Sequence, residues 1–412
     1  MFDAERAYAY TAQLAFPRRT GSEGEGRAAG LIAEEFRAAG LAVEEQPFRF
    51  SPFPLTVAAR LLLLGLGGLV LFSAELFPHT PRGALLPLAG AVLLVLWSSR
   101  WTPLTERLYD LPGSWQGRNI IARTPAASIP GGQGPPGADL IFLAHYDSKS
   151  QLQPLALRLG LFLVCLLGLG MLTGLVALAA GGPWPGIITP RGVGILSGLV
   201  LMALLLLQAN YSHNLSPGAL DNASGVGVLL ELARCAPKVA PPGLNLVFVA
   251  TGAEEEGLAG ALRFIQAYGA TFDPARSGFV NLDGPGAEGQ VVVVDRYGLP
   301  PQPTGPGLTQ ALLQLAAERG LAAATGFLPP GAGTDQIPIA GRGFEAVTLQ
   351  SVRFGRAWLS VHSRADTLSH ISPEALRQVG ELCLDLVRSW GTFRPGATLT
   401  PDVNPRQAGP ER

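Results

Sequence analysis

Four long apolar runs interrupt a chain that otherwise alternates between short apolar and polar segments. They cover residues 55–77, 83–99, 159–180 and 192–208, and the third run has no charged residue in its 22 positions. About 20 apolar residues cross a bilayer as a helix, so each run predicts a transmembrane helix, with the second and fourth on the short side. The alternative is a set of buried helices, although a soluble core rarely needs four such runs.

The runs form two pairs, each joined by a short turn rich in Pro and Gly, "PHTPR" and "GGPWPGIITPR". Each pair therefore predicts a transmembrane hairpin that returns the chain to the side it left. Such hairpins can be inserted into surface loops because loop insertions with close ends cost little. We expect a catalytic domain of residues 1–50, 112–150 and 212–393, hairpin inserts at 51–111 and 151–211, and a disordered polar tail at 394–412.

Outside the hairpins, short apolar segments typical of strands alternate with segments typical of helices. This order predicts a mixed α/β fold with a mostly parallel sheet flanked by helices. The expected strands are 41–50, 117–124, 138–147, 244–252, 277–284, 289–295 and 344–351, and the expected helices are 22–40, 221–236, 256–269, 307–320 and 372–390.

Composition narrows the class of protein. Charged residues make up 15% of the chain, below the globular average of about 25%, as expected for a soluble domain diluted by membrane segments. The formal net charge of −1 gives no support to a nucleic-acid partner, which would need a concentrated basic face. Three scattered cysteines predict neither a disulfide framework nor a thiolate zinc site. The first 26 residues lack the pattern of a cleaved signal peptide.

Polar side chains collect where the predicted strands end. Because ligands of open α/β sheets bind at the carboxyl ends of strands, these side chains can converge on one spot. Two histidines and several carboxylates suit zinc or a similar divalent ion, and five such ligands with one bridging carboxylate suit two ions. A further carboxylate can then act as general base. The candidates are His145, Asp147, Asp221, Glu254, Glu255, Glu256, Asp283 and His362.

The order of these motifs resembles the M28 zinc aminopeptidases of the bacterial leucyl aminopeptidase type. The matching segments are "HYD" (145–147), "ALDNASGVG" (219–227), "EEEGLAGA" (254–261), "NLDG" (281–284) and "VHSRADT" (361–367), preceded by "RRTGSEGEG" and "GRNIIA". The resemblance implies the phosphorylase/hydrolase-like fold of zinc peptidases, interrupted here by the two hairpins.

The resemblance also implies a role for each matching residue. Two Zn²⁺ ions would share Asp221 as a bridge, and Glu254 would be the general base and acid. Asp147 would orient His145, since metal-bound histidines need a partner on the second ring nitrogen. The first ion would be held by His145, Asp221 and Asp283, and the second by Asp221, Glu255 and His362.

Two departures leave alternatives open. Anchoring the glutamate triplet on "GL" (257–258) makes Glu254 and Glu255 the functional pair, whereas the other register makes Glu256 a ligand and Glu254 a solvated charge at a helix start. In addition, "GTDQIPI" (333–339) has Thr334 and Gln336 where the family has Ser and His. If that His contacts substrate, the contact is altered here.

The leading expectation is a membrane-embedded di-zinc aminopeptidase acting on peptides. Alternatives are another zinc enzyme on this fold, namely a carboxypeptidase, dipeptidase or glutaminyl cyclase, and a non-catalytic membrane scaffold. An Arg cluster would favour a substrate with a free carboxylate, and Arg342, Arg353 and Arg356 are the candidates for it.

The flanks of the apolar runs predict orientation and partners. Six Lys or Arg residues flank the runs on the catalytic side, against Arg82 and Arg191 in the turns, which favours a cytoplasmic catalytic domain at a bacterial inner membrane. The lipid bilayer is the expected partner of the hairpins, and small residues in "GLGMLTG" and "GLGG" would also suit a homodimer. The six flanking residues are Arg49, Arg60, Arg100, Arg107, Lys149 and Arg158.

Overall fold

The computed structural model describes residues 1–124, 138–182, 188–329, 331–352 and 355–390. The tail predicted as disordered and part of the second hairpin turn lie outside these ranges. The strands are β1 Ala42–Phe50, β2 Trp115–Arg123, β3 Ala138–His145, β4 Ser150–Gln151, β5 Ser212–His213, β6 Leu244–Thr251, β7 Ser277–Leu282, β8 Gln290–Tyr297, β9 Gln302–Pro303, β10 Ala323–Leu328 and β11 Glu345–Val352. The helices are α1 Ala4–Leu14, α2 Glu23–Ala38, α3 Ala59–Leu76, α4 Pro81–Ser98, α5 Pro103–Tyr109, α6 Leu155–Gly181, α7 Pro190–Gln208, α8 Ser224–Cys235, α9 Ala259–Tyr268, α10 Pro306–Glu318, α11 Gln336–Ala340, α12 Arg356–Ser360 and α13 Pro373–Ser389.

Nine of these strands form one mixed sheet in the order β1-β2-β6-β3-β7-β11-β8-β10, with β9 paired to β8. The four central strands, β6, β3, β7 and β11, run parallel to one another. Antiparallel pairing occurs towards the two edges, where β1 and β2 lie on one side and β8 on the other. This confirms the predicted mixed, mostly parallel α/β fold.

Helices cover both faces of the sheet because the central strands bury side chains on both sides. One face packs against α1, α2, α8, α10 and α13, and the other against α9 and α11. The helix α2 illustrates the local cause: the Ser22 side chain accepts a hydrogen bond from the Glu25 N–H, and Ile32 and Phe36 on the inner stripe are fully buried.

The four apolar runs form α3, α4, α6 and α7, each long and apolar enough to cross a membrane. They pack as a four-helix bundle in which α3 contacts α4 and α7, and α6 contacts α4 and α7. A thin apolar core lines the inside of the bundle, including Val70, Leu88 and Val176. The outer surface is also apolar, and Leu86 and Leu93 are 76% and 65% exposed.

Each hairpin leaves and re-enters the sheet domain at a single place. At the first hairpin, the Ser51 N–H donates to the Tyr109 carbonyl at 3.0 Å. At the second, β4 and β5 form a two-stranded antiparallel ribbon, and the Leu152 N–H donates to the Tyr211 carbonyl at 2.9 Å. The sheet can therefore form without a break in its core, as expected when a hairpin is inserted into a surface loop whose ends stay close together.

Candidate metal centre

Three parallel strands end at the same edge of the sheet, and candidate ligands lie at or just after these strand ends. His145 is the last residue of β3, Asp283 follows β7, and the Glu254–Glu255 pair follows β6 after a short turn. The carboxyl ends of adjacent parallel strands meet at the same edge, so these side chains are neighbours although up to 138 positions separate them.

A first cluster of ligand atoms surrounds the His145 ring. Its Nε2 lies 3.1 Å from Asp221 Oδ1 and 3.8 Å from Asp283 Oδ1. The ligand atoms of these three residues all lie within 4.8 Å of one another, which is close enough for one ion to contact all three.

A second cluster surrounds the His362 ring. Its Nε2 lies 3.0 Å from Asp221 Oδ2 and 3.1 Å from Glu255 Oε2. The two oxygens of Asp221 thus face different histidines, and this carboxylate belongs to both clusters. The structure brings together all five residues predicted as ligands.

Local backbone geometry explains how Asp221 reaches this position. Asp221 lies in a non-helical stretch just before α8, and the Asp366 carboxylate accepts hydrogen bonds from the Leu220 N–H at 2.7 Å and the Asp221 N–H at 3.1 Å. Gly225 lets α8 approach the end of β7, because a Cβ there would lie 2.4 Å from the Leu282 carbonyl oxygen. Burial raises the pKa of Asp366 to about 7 despite these two hydrogen bonds.

Asp147 joins the two strand ends that carry the site. Its main-chain carbonyl lies 3.2 Å from His145 Nδ1, whereas its nearest carboxylate oxygen lies 3.6 Å away. The carboxylate instead accepts hydrogen bonds from the N–H groups of Glu254 and Glu255, both at 3.1 Å, and from the Thr20 hydroxyl. Asp147 therefore fixes the glutamate loop with its side chain and contacts the histidine with its backbone.

The adjacent glutamates lie in opposite electrostatic environments. Burial raises the pKa of Glu254 well above its usual range, and the Glu255 carboxylate acts in the same direction. Burial opposes ionisation of Glu255 as well, yet His362 and Lys149 lower the pKa of Glu255 to about 2. Two neighbouring carboxyl groups with separated pKa values are suited to different tasks, one to carrying a proton and one to remaining an anionic ligand.

Lys149 is a site residue that the sequence analysis treated only as a flanking charge. Its Nζ lies 2.9 Å from Glu255 Oε2 and donates to the Glu255 carbonyl at 2.8 Å. Burial works against its charge, but the surrounding glutamates raise the pKa of Lys149, so the ammonium persists. No periodic or motif signal distinguishes such a lysine from a solvated one.

Glu256 points away from both clusters and pairs with Arg19, whose Nε lies 3.0 Å from Glu256 Oε1. Arg19 also lies over the Trp115 ring. The geometry therefore favours the register in which Glu254 and Glu255 face the cluster.

Arg18 is a second residue whose role sequence reasoning missed. It is fully buried, and its guanidinium donates to the carbonyls of Tyr146 and Gly218 at 2.6 and 2.8 Å. These bonds tie the end of β3 to the segment that precedes Asp221, so Arg18 sets the spacing between His145 and Asp221. The "RRTGSEGEG" segment was a signal for it, but its contact with carbonyls from two distant segments is a tertiary property.

The donor set fits a divalent metal. It combines imidazole nitrogens with carboxylate oxygens, the ligand types that zinc accepts. In addition, Glu255 Oε1 is buried and makes no hydrogen bond within the described part of the chain. A buried carboxylate oxygen without a partner is costly unless a cation satisfies it.

The other described residues considered as substrate contacts do not belong to the two ligand clusters. Gln336 is buried and donates to Thr304 Oγ1 at 3.2 Å. Arg342 forms a bidentate pair with Glu106, with contacts of 2.9 and 2.7 Å. Arg356 lines a surface cavity with His370, and Arg353 lies outside the described residues.

Part of this chain matches a known protein family. The profile of "Peptidase family M28" matches residues 202–387, a stretch that includes Asp221, Glu255, Asp283 and His362. Aminopeptidase YwaD of Bacillus subtilis (strain 168) is 27% identical over 206 residues, which is 43% of this chain. That alignment covers 39% of the relative's length, about two fifths.

Solved structures share the fold at low sequence identity. The zinc aminopeptidase BSAP from Bacillus subtilis superposes with a TM-score of 0.55 at 18% identity, covering 97% of each chain. A leucine aminopeptidase precursor from Bacteroides thetaiotaomicron gives 0.54 at 16% identity, covering 94% of this chain and 97% of that one. Fimbriiglobus ruber glutaminyl cyclase gives 0.53 at 18% identity, covering 94% and 95%. Residues 202–387 therefore match peptidase family M28, and the solved structures show that nearly the whole chain shares their fold.

Proposed function

We propose that this chain is a membrane-embedded di-zinc aminopeptidase. The single observation that carries this proposal is the position of Asp221, whose two oxygens lie 3.1 and 3.0 Å from the Nε2 atoms of His145 and His362. A carboxylate between two ligand clusters is the arrangement of a two-metal hydrolase. His145 and Asp283 would complete one zinc site, and Glu255 and His362 the other.

When bound, two zinc ions here would polarise a peptide carbonyl and bring the pKa of a shared water to about 7. The chain's own residues then have defined tasks. Glu254, whose Oε2 lies 3.9 Å from His145 Nε2, would accept the proton of the attacking water. It would then give that proton to the departing amine, for which its raised pKa suits it. Asp147 would hold the Glu254 backbone in place.

Glutaminyl cyclase activity is a second candidate because two structures of glutaminyl cyclases share the fold with TM-scores of 0.51 and 0.53, against 0.55 for the aminopeptidase BSAP. The aminopeptidase is favoured by the curated relative, which is named as an aminopeptidase. A non-catalytic scaffold is disfavoured by the filled ligand set, since every predicted ligand position holds a metal-binding side chain.

A substrate panel separates these candidates. We expect the full-length chain to cleave amino-acid amides and dipeptides with a free amino terminus. Chelator should abolish this activity and zinc restore it, because the attacking water depends on the metal. Activity confined to N-blocked substrates would contradict the aminopeptidase proposal, ammonia release from glutaminyl peptides alone would indicate a cyclase, and no metal-dependent activity would indicate a scaffold.

We propose further that the four-helix bundle spans a lipid bilayer. A helix at the surface of a soluble protein presents a polar outer face, whereas the outer face here is apolar. Within the most apolar 18-residue stretch of each of the four helices, at most 33% is buried inside the protein. Lipid is the environment that covers such a surface without cost. The two hairpins are the proposed inserts at 51–111 and 151–211. A homodimer is a second use of the outer surface, through Gly68, Gly170 and Gly174, whereas Gly168 packs against Val200 inside the bundle.

For orientation we propose a cytoplasmic catalytic domain at the bacterial inner membrane. Two of the six Lys and Arg residues that flank the helices on the catalytic side, Lys149 and Arg158, contact site residues. The excess of positive charge on that side therefore rests on the other four, compared with Arg82 and Arg191 in the hairpin turns. We expect a cysteine at the exposed His79 in the first hairpin turn to react with an impermeant thiol reagent on intact spheroplasts. A cysteine at the exposed Gln314 on α10 should react only after permeabilisation. The reverse pattern would contradict this orientation.

A further inference from the structure

The base of the second hairpin lies beside the metal centre. We define the neck as residues 150–158 and 211–213, which comprise β4, β5 and the first turn of α6. The neck begins five residues after His145, and it ends in a helix that enters the bundle. A hairpin that served only as an anchor would need no contact with the catalytic residues.

Two neck side chains reach the same nitrogen of His362. Gln151 Oε1 lies 3.1 Å from His362 Nδ1, and Arg158 Nη2 lies 3.0 Å from it. The Gln151 N–H also donates to the His362 carbonyl at 2.9 Å, so Gln151 holds both the ring and the backbone of His362. His362 has φ +61°, a conformation that residues other than Gly seldom adopt and that surrounding contacts must maintain.

The two contacts have opposite consequences for metal binding. His362 Nε2 faces Asp221 and Glu255, so it is the nitrogen available to a metal. An imidazole that binds a metal through Nε2 carries its hydrogen on Nδ1 and must donate it. The amide oxygen of Gln151 can accept that hydrogen, whereas the guanidinium of Arg158 can only donate. Arg158 also adds a positive charge next to a cation site.

We propose that Gln151 is a positioning residue for His362 and that the hairpin neck is part of the metal centre, a role that rests on the proposed two-ion site. Gln151 supports binding of the ion held by His362, and Arg158 opposes it. The His145 ligand of the other ion makes its Nδ1 contact outside the neck, with the main-chain carbonyl of Asp147. The second hairpin thereby couples the membrane bundle to one metal site and not to the other.

Stepwise zinc affinities of the full-length chain in lipid nanodiscs test this proposal, measured by competition with a chromophoric chelator. We expect Gln151→Leu to weaken one of the two ions by about 10–100-fold and to leave the other unchanged, since losing the partner of a metal-bound histidine has effects of this size. Gln151→Glu restores an acceptor and should recover most of the loss. Arg158→Leu should bind zinc at least as tightly as the wild type.

Gln153→Leu is the matched control, because Gln153 lies in the same neck and bonds to the Leu206 carbonyl instead of to a site residue. It should bind both ions with wild-type affinity. Equal weakening by Gln151→Leu and Gln153→Leu, weakening by Arg158→Leu, or wild-type affinity in Gln151→Leu would each overturn the positioning role alone. A wild-type chain that binds fewer than two zinc ions would overturn the proposed function, and this inference with it.

Discussion

Replacing Glu254 by Gln is expected to lower kcat by about 10²–10⁴-fold, the usual contribution of a general base, while KM changes little. The amide keeps the shape of the side chain but cannot accept the proton of the attacking water. Glu254 is buried and has the Glu255 carboxylate beside it, so its side chain is placed to carry a proton and not to serve as an exposed charge. Steady-state kinetics on the best substrate of the panel, with zinc content measured in parallel, check this result.

Glu256→Gln supplies the matched control for that experiment. Glu256 is the same residue type two positions along the chain, and it pairs with Arg19 outside both clusters. Its kcat should stay within a few-fold of the wild type, and both variants should retain two zinc ions. A wild-type kcat in Glu254→Gln, or a fall of the same size in Glu256→Gln alone, would show that the functional pair lies one register along the chain.

Replacing Asp221 by Asn is expected to remove both zinc ions and to reduce activity to the level of the chelated wild type. Each Asp221 oxygen faces a different histidine, so this side chain contributes to both ion sites at once. Asparagine loses the negative charge and one of the two acceptor oxygens, so it cannot bridge two cations. Zinc content per chain after dialysis, measured by mass spectrometry, checks this prediction.

The comparison variant for Asp221→Asn is Asp283→Asn. Asp283 belongs only to the cluster around His145. We expect Asp283→Asn to weaken one ion and to retain the other, held by Asp221, Glu255 and His362. Retention of both ions in Asp221→Asn, or loss of both in Asp283→Asn, would be inconsistent with a bridge at Asp221.

The sequence predicted much of the fold because its signals there are local. The short segments expected as strands, bounded by turn residues, correspond to β1, β3, β6, β7 and β11 within a few residues at each end. The helix expected at 22–40 is α2, and its first turn is capped by the Ser22 side chain, which accepts a hydrogen bond from the Glu25 N–H. The convergence of the candidate ligands also followed from a general rule, since parallel strands present their carboxyl ends at one edge.

Other parts of the structure were not predicted from the sequence. The strands β4 and β5 are two residues long, too short for any periodicity, and their pairing depends on the hairpin between them. The strand β10 was not predicted, and neither was α1, although Asp3 caps α1 and its buried Ala7, Tyr10 and Leu14 recur at helical spacing. Lys149 and Arg158 read as interfacial cations, yet both contact site residues. Single polar residues with partners over a hundred positions away can be assigned only from the tertiary structure.

Anomalous X-ray scattering at the zinc edge, recorded from crystals of the zinc-loaded full-length protein, tests the central claim most directly. We predict two peaks about 3.5–4 Å apart. One should lie about 2.0–2.2 Å from ligand atoms of His145 and Asp283, the other at the same distances from Glu255 and His362, with Asp221 in contact with both. A single peak, or a pair of peaks that do not share Asp221, would contradict the proposed two-metal centre.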